Sequence, residues 1–206
     1  MTAHPHPPGP SAPLAAVLHD GHGIAEPVLK AFVARLQARG VRVRGLLQDS
    51  AISTQQGSQQ GGQGGSACQR HMELVDVQNG QRYLISQELG QGSQACCLDA
   101  AGVAAASVVL RRALHEQPEL IVANRFGKIE SEGSGLRQEI AAAAAAGIPL
   151  LTAVDQRFLP EWQAFCGGLA VQLPPDVQAL EQWWRQHARP DAQAQAQPQG
   201  TGPEAA

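Results

Sequence analysis

The sequence predicts an α/β fold with a mostly parallel sheet and one added antiparallel hairpin, and three observations carry that expectation. Glu119–Thr152 reads without interruption as strand, polar loop, helix and strand. Its first strand, Leu120-Ile121-Val122-Ala123, is a short apolar run of the kind buried on both faces of a parallel sheet, and it stops at Asn124-Arg125. Near the start of the chain, Leu14–Leu18, a helix and Val41–Gln48 form a βαβ unit, whose crossover should be right-handed. Finally, Met72–Gln78 and Gln81–Ser86 flank Asn79-Gly80, a dipeptide suited to a tight hairpin turn.

The first helix has Pro27 near its first turn, carries Val28, Leu29, Phe32, Val33 and Leu36 at helical spacing, and is closed by Gly40. Between Ser53 and Ser66 a Gln/Gly/Ser segment has nothing to bury and reads as a flexible insertion. Asp99 can cap a helix bearing Val103, Ser107, Leu110 and Leu114, and Pro118 separates it from the central strand. Ala141–Ala146 forms a secure helix that Gly147 ends, and Ile148-Pro149-Leu150-Leu151 opens the next strand. Glu161–Phe165 is a short helix, Leu169–Leu173 a last strand, and Asp176–His187 a final helix with Val177, Leu180, Trp183 and Trp184 facing inward. One domain over 14–187 is expected, between a disordered leader (1–13) and a Pro/Gln/Ala/Gly-rich disordered tail (188–206).

Composition limits the function classes. A chain of 206 residues that is 43% hydrophobic can bury one sizeable core, and a net charge of −3 with thinly spread Lys and Arg gives no footprint for nucleic acid. Met1–Pro13 lacks the basic start and apolar centre of a signal peptide, and no apolar run is long enough to span a bilayer, so a cytoplasmic protein is expected. Cys68, Cys96, Cys97 and Cys166 lack the spacing of a disulfide framework. Cys68 and His71 with Cys96 and Cys97 supply enough soft ligands for a metal if the hairpin gathers them, but no Cys-x-x-Cys pair is present and buried free thiols are the stronger reading. No metal site is therefore assigned, and no cofactor is named.

Candidate binding residues cluster at strand ends. In open α/β sheets ligands bind outside the carboxyl ends of the strands. Asn124, Arg125, Gly127, Lys128 and Glu130 fall there, and Gly133, Ser134, Gly135 and Arg137 lead into the next helix. The loop suits an anion: Ser134 is read as the helix N-cap, and Gly133 and Gly135 let main-chain N–H groups approach a ligand. Asp20, Gly21 and Gly23 sit in the turn after the first strand, where phosphate-binding loops occur, yet no Gly-Lys-Ser/Thr follows them. The Asp20–Gly23 turn is expected to face Asn124–Ser134 across one crevice.

The run Cys68-Gln69-Arg70-His71-Met72-Glu73-Leu74, then Ile85-Ser86-Gln87-Glu88-Leu89-Gly90, Cys97-Leu98-Asp99 and Asn124-Arg125-Phe126-Gly127-Lys128-Ile129-Glu130 with Gly133-Ser134-Gly135 resembles a bacterial family numbered 2478 among the domains of unknown function. That resemblance covers roughly Leu14–Val171 and implies an association with molybdenum uptake or use. More distantly, the order of elements is similar to the small thermophilic-type nucleoside triphosphatases of the P-loop class, which implies a three-layer P-loop-NTPase-like sheet. In those enzymes the loop corresponding to Asn124–Glu130 reads Asp-Glu-x-Gly-x-Met-Glu. Gly127 and Glu130 match it, whereas Asn124 and Arg125 replace both acids that organise magnesium and activate water.

Three functions follow from these readings. The first is a degenerate P-loop-like module that binds a nucleotide or a small oxyanion such as molybdate with little or no hydrolysis. The second is an active nucleoside triphosphatase with Glu130 as base and Asp20 or Asp155 near a metal. The third is a regulatory module whose strand-end loops contact a protein partner.

Overall fold

The structure, a computed structural model, describes residues 14–21, 23–52, 70–87 and 98–188, without the side chains of 51, 52, 70 and 71. The leader 1–13, the insertion 53–66, Cys68, Cys96, Cys97, the side chain of His71 and residues 189–206 of the tail lie outside this description. The strands are β1 (Leu14–His19), β2 (Val43–Ile52), β3 (Arg70–Asp76), β4 (Arg82–Leu84), β5 (Leu120–Phe126), β6 (Leu150–Asp155) and β7 (Val171–Leu173). The helices are α1 (Ala25–Ala38), α2 (Ala100–His115), α3 (Lys128–Ser131), α4 (Arg137–Ala145), α5 (Leu159–Cys166) and α6 (Val177–His187).

One sheet holds all seven strands in the order β4-β3-β2-β5-β6-β1-β7. Strands β2, β5, β6, β1 and β7 run parallel, and the hairpin of β3 and β4 adds antiparallel strands at one edge. Side-chain alternation sends Ala15, Val17, Val43, Val122 and Leu151 to the face covered by α1 and α6, and Ala16, Leu46, Ile121, Ala123 and Leu150 to the face under α2, α4 and α5. The result is the expected three-layer sandwich. Gly45 stands where β2 meets β5, at φ +119°, and a β-carbon there would collide with the main chain of Val122.

Several boundaries differ from the sequence reading for local reasons. β2 begins at Val43 instead of Val41, because the N–H of Val41 donates to the Leu36 carbonyl at 3.1 Å while that of Gly40 donates to Gln37 at 2.9 Å, a Schellman closure of α1. The hairpin turn spans four residues, 77–80, between the pairs that close on Asp76 and Gln81, and only Gly80 takes a positive φ. Asp99 caps α2 as expected, accepting from the N–H of Ala101. Ala188, placed in the tail by composition, is buried and donates to the Trp184 carbonyl. Cys166 packs in the core at 8% exposure.

Two differences shape the candidate site. β5 does not stop at Ala123 but continues to Phe126, and a short helix, α3, occupies part of the expected loop. Ser134 is not the N-cap of the following helix: α4 starts after Leu136 and has no side-chain cap. The chain turns at Gly135 (φ +63°), and the N–H of Leu136 is taken by Glu130 Oε1 at 3.1 Å, so a carboxylate from α3 satisfies the helix entrance instead.

Candidate functional site

β5 carries one residue too many for its neighbour. Ala123 pairs with Thr152 and Phe126 with Val154, so three steps along β5 match two along β6. Such a bulge re-aims side chains and leaves ladder groups unpaired. Thr152 fills the gap: its hydroxyl donates to the Ala123 carbonyl at 2.6 Å and accepts the N–H of Phe126 at 3.2 Å. The two residues inside the irregularity, joined by a cis peptide bond, are Asn124 and Arg125.

Both line a cavity of about 370 Å³ at the carboxyl edge of the sheet. Asn124 is 2% exposed and its Nδ2 has no hydrogen-bond partner among the described residues. Buried Trp162 and Trp183 also have unpartnered indole nitrogens, but neither lines this cavity. Arg125 is exposed, and its guanidinium makes no hydrogen bond or ion pair among the described residues. Gly21, Gly127, Lys128 and Glu130, also anticipated from sequence, line the same space, whereas Asp20, Gly23, Gly133, Ser134, Gly135 and Arg137 do not.

The residues outside the cavity are engaged elsewhere or stand apart. Arg137 donates to the Glu130 carbonyl at 3.0 Å and lies 4.5 Å over the Phe165 ring. Gly135 packs against the Glu130 carboxylate, with no room for a β-carbon. Glu130 itself is 3% exposed and receives the N–H groups of Gly127 and Leu136 at 2.9 and 3.1 Å. Burial pushes its pKa above the ordinary glutamate value, against the lowering influence of those hydrogen bonds. Lys128 is well exposed and has Glu132 Oε1 at 3.9 Å.

Across the edge, β1 and β6 end side by side at His19 and Asp155. Between β1 and α1, Gly21 (φ +91°) and Gly23 (φ +72°) take positive φ, and α1 has no side-chain N-cap. The Gly21 N–H donates to His19 Nδ1 at 3.1 Å. Burial, then Arg125, lowers the His19 pKa and so favours the neutral ring, whose Nδ1 accepts the Gly21 N–H. Asp155 is gripped by Arg157 at 3.0 and 2.7 Å, and that hydrogen-bonded pairing holds its pKa down to about 2. Among the described residues no group of three His, Cys, Asp or Glu could hold a metal ion.

Sequence reasoning missed more than half of the cavity wall. Gln48 from β2, Met72 and Leu74 from β3, Ile85, Leu98, Val103 from α2 and Phe158 line it. Those residues carry no local signal beyond the apolar pattern of their own elements.

A family described as "Protein of unknown function (DUF2478)" matches residues 14–183. The chain belongs to this family. A relative from Bradyrhizobium diazoefficiens, the molybdenum import ATP-binding protein ModC 2, is 39% identical over 172 residues. That match takes in 84% of this chain but only 18% of the relative's length. Among solved structures, THEP1 from the hyperthermophile Aquifex aeolicus superposes with a TM-score of 0.57 at 14% identity, covering 80% of this chain and 90% of THEP1. A human cancer-related nucleoside triphosphatase superposes with a TM-score of 0.49 at 16% identity, covering 77% and 87% of the two chains. The family member described here thus has the α/β fold of the P-loop nucleoside triphosphatases. No helix among its described residues is long and apolar enough to cross a membrane.

Proposed function

We propose that this chain is a degenerate P-loop-like module that binds a nucleotide or a small oxyanion at the end of β5, with little or no hydrolysis. The observation that carries the reading is the pair inside the β5 bulge: a buried Asn124 amide with an unpartnered N–H and an unpaired Arg125 guanidinium, both on one cavity. Buried unsatisfied donors are rare in native structures and call for a partner. Arg125 and Lys128 add positive charge at the same edge, and an anion accepts charge-assisted hydrogen bonds from both kinds of group.

The groups needed for hydrolysis are otherwise committed. Glu130 is buried with its two oxygens on main-chain N–H groups, which suits a brace better than a base for water. Asp155 spends its carboxylate on Arg157. The turn after β1 has no lysine to reach a terminal phosphate. A link to molybdenum comes from the Bradyrhizobium relative, a molybdenum import ATP-binding protein, and makes molybdate a ligand worth testing.

Thermal-shift and calorimetric titration of wild type and Arg125→Ala with ATP, GTP, molybdate, tungstate and sulfate tests the reading, with phosphate release followed in the presence of magnesium. At least one of these anions should bind, Arg125→Ala should weaken it by about 1–3 kcal/mol, and phosphate release should stay at background. Brisk magnesium-dependent turnover would return the protein to the active triphosphatases. Equal binding by the variant would move the anion away from β5.

A further inference from the structure

The cavity has two unlike sides, and we infer from them that its ligand joins a flat nitrogen heterocycle to an anionic group. The inference rests on the anion reading above and names the rest of the molecule. Arg125 and Lys128 line it from β5 and α3, while Met72, Leu74, Ile85 and Val103 line it from β3, the chain beyond β4 and α2, across β2 from β5. A volume of about 370 Å³ lies in the range of small organic ligand sites. A hydrated tetrahedral oxyanion would satisfy the cations but leave the apolar walls facing water.

The hydrogen-bonding groups between the two sides identify the body of the ligand. Gln48, on β2 beside β5, is 4% exposed and lines the cavity. Its Nε2 donates to Ser50 Oγ at 2.9 Å, and the Ser50 hydroxyl proton is directed to Glu26 Oε1 at 3.0 Å, so the amide orientation is set. No described residue donates a hydrogen bond to Gln48 Oε1, and among the described residues Asn124 Nδ2 is a buried donor with no acceptor. A hydrocarbon would leave both unmet, and a bare oxyanion could satisfy the donor alone. The donor-and-acceptor edge of a nitrogen heterocycle meets both, as bases do with Asn and Gln amides, and its faces suit the apolar walls.

Titration calorimetry of the full chain with AMP, GMP, ribose 5-phosphate and molybdate separates the ring from the anion. At least one nucleoside monophosphate should bind about tenfold or more tightly than ribose 5-phosphate, the scale of one buried hydrogen bond with ring burial. Gln48→Leu should abolish that advantage and leave ribose 5-phosphate or molybdate affinity unchanged. Leu98→Trp, at a half-buried wall position, should do the same by filling the ring space, which guards against a folding defect in the first variant. Equal affinity for nucleotides and ribose 5-phosphate, or a ring advantage that survives both variants, overturns the heterocycle and leaves the anion site standing. Absence of binding by all four ligands overturns the heterocycle, and the anion reading falls with it when ATP, GTP, tungstate and sulfate also fail to bind.

Discussion

Thr152 staples the break in β5 to β6: its hydroxyl receives the N–H of Phe126 and donates to the carbonyl of Ala123, the two ladder groups on either side of Asn124-Arg125. Thr152→Val keeps the shape and removes the hydroxyl, leaving two buried main-chain groups unpaired. It should cost about 1–3 kcal/mol in urea unfolding and also weaken any Arg125-dependent ligand, whereas Thr152→Ser should retain most of both. A stable Val variant with normal binding would show that the bulge needs no staple.

Glu130 should make stability fall with rising pH. Burial favours its neutral form, so the folded chain holds this proton to a higher pH than the unfolded chain does. The stability it contributes is complete below the unfolded pKa and is lost as pH rises through the raised folded value. Denaturant midpoints across that window should decline more in wild type than in Glu130→Gln, and parallel profiles would contradict this.

Asp155 has the opposite sign. The Arg157 side-chain hydrogen bond leads the effects that depress it to about 2. Its contribution is present above the unfolded pKa and disappears as pH falls toward that value. Arg157→Gln should therefore raise the Asp155 pKa, as read by carboxyl-carbon NMR titration; an unmoved resonance would mean that the pairing does not persist in solution.

Lys128 should matter to ligand and not to fold. It is 62% exposed and its ion pair with Glu132 spans 3.9 Å, so Lys128→Ala should change stability by less than about 1 kcal/mol. An anion held at Arg125 should lose about 1–3 kcal/mol of affinity in the same variant. Calorimetry and thermal unfolding on one sample distinguish the two effects.

The order of elements was legible, α3 apart, because the other helices and the strands declare themselves over a few neighbouring residues: Leu120–Ala123 by its apolar run, Asp99 by its capping side chain, Gly147 by ending the alanine helix. The site was legible only where a polar residue followed a strand. Asn124 and Arg125 read as loop from their polarity, yet they belong to β5, because a threonine from another strand completes the interrupted ladder. The Ser134 cap failed for a related reason: Glu130, from α3, occupies the N–H at the entrance of α4. Gln48, Leu74 and Val103 reach the cavity through tertiary folding alone, and no spacing in sequence brings them together.

Gly45 sorts what diverging members of the family can and cannot change. The main chain of Val122 occupies the place of a β-carbon at this position, and φ of +119° disfavours every other residue, so the site answers to backbone contact alone. A relative that had lost its ligand would still need glycine here, while its counterparts of Gln48, Asn124 and Arg125 would be free to drift. Shared glycine at 45 therefore reports the close β2–β5 approach alone, whereas under the proposed binding role shared amides and arginine around the bulge report a common ligand.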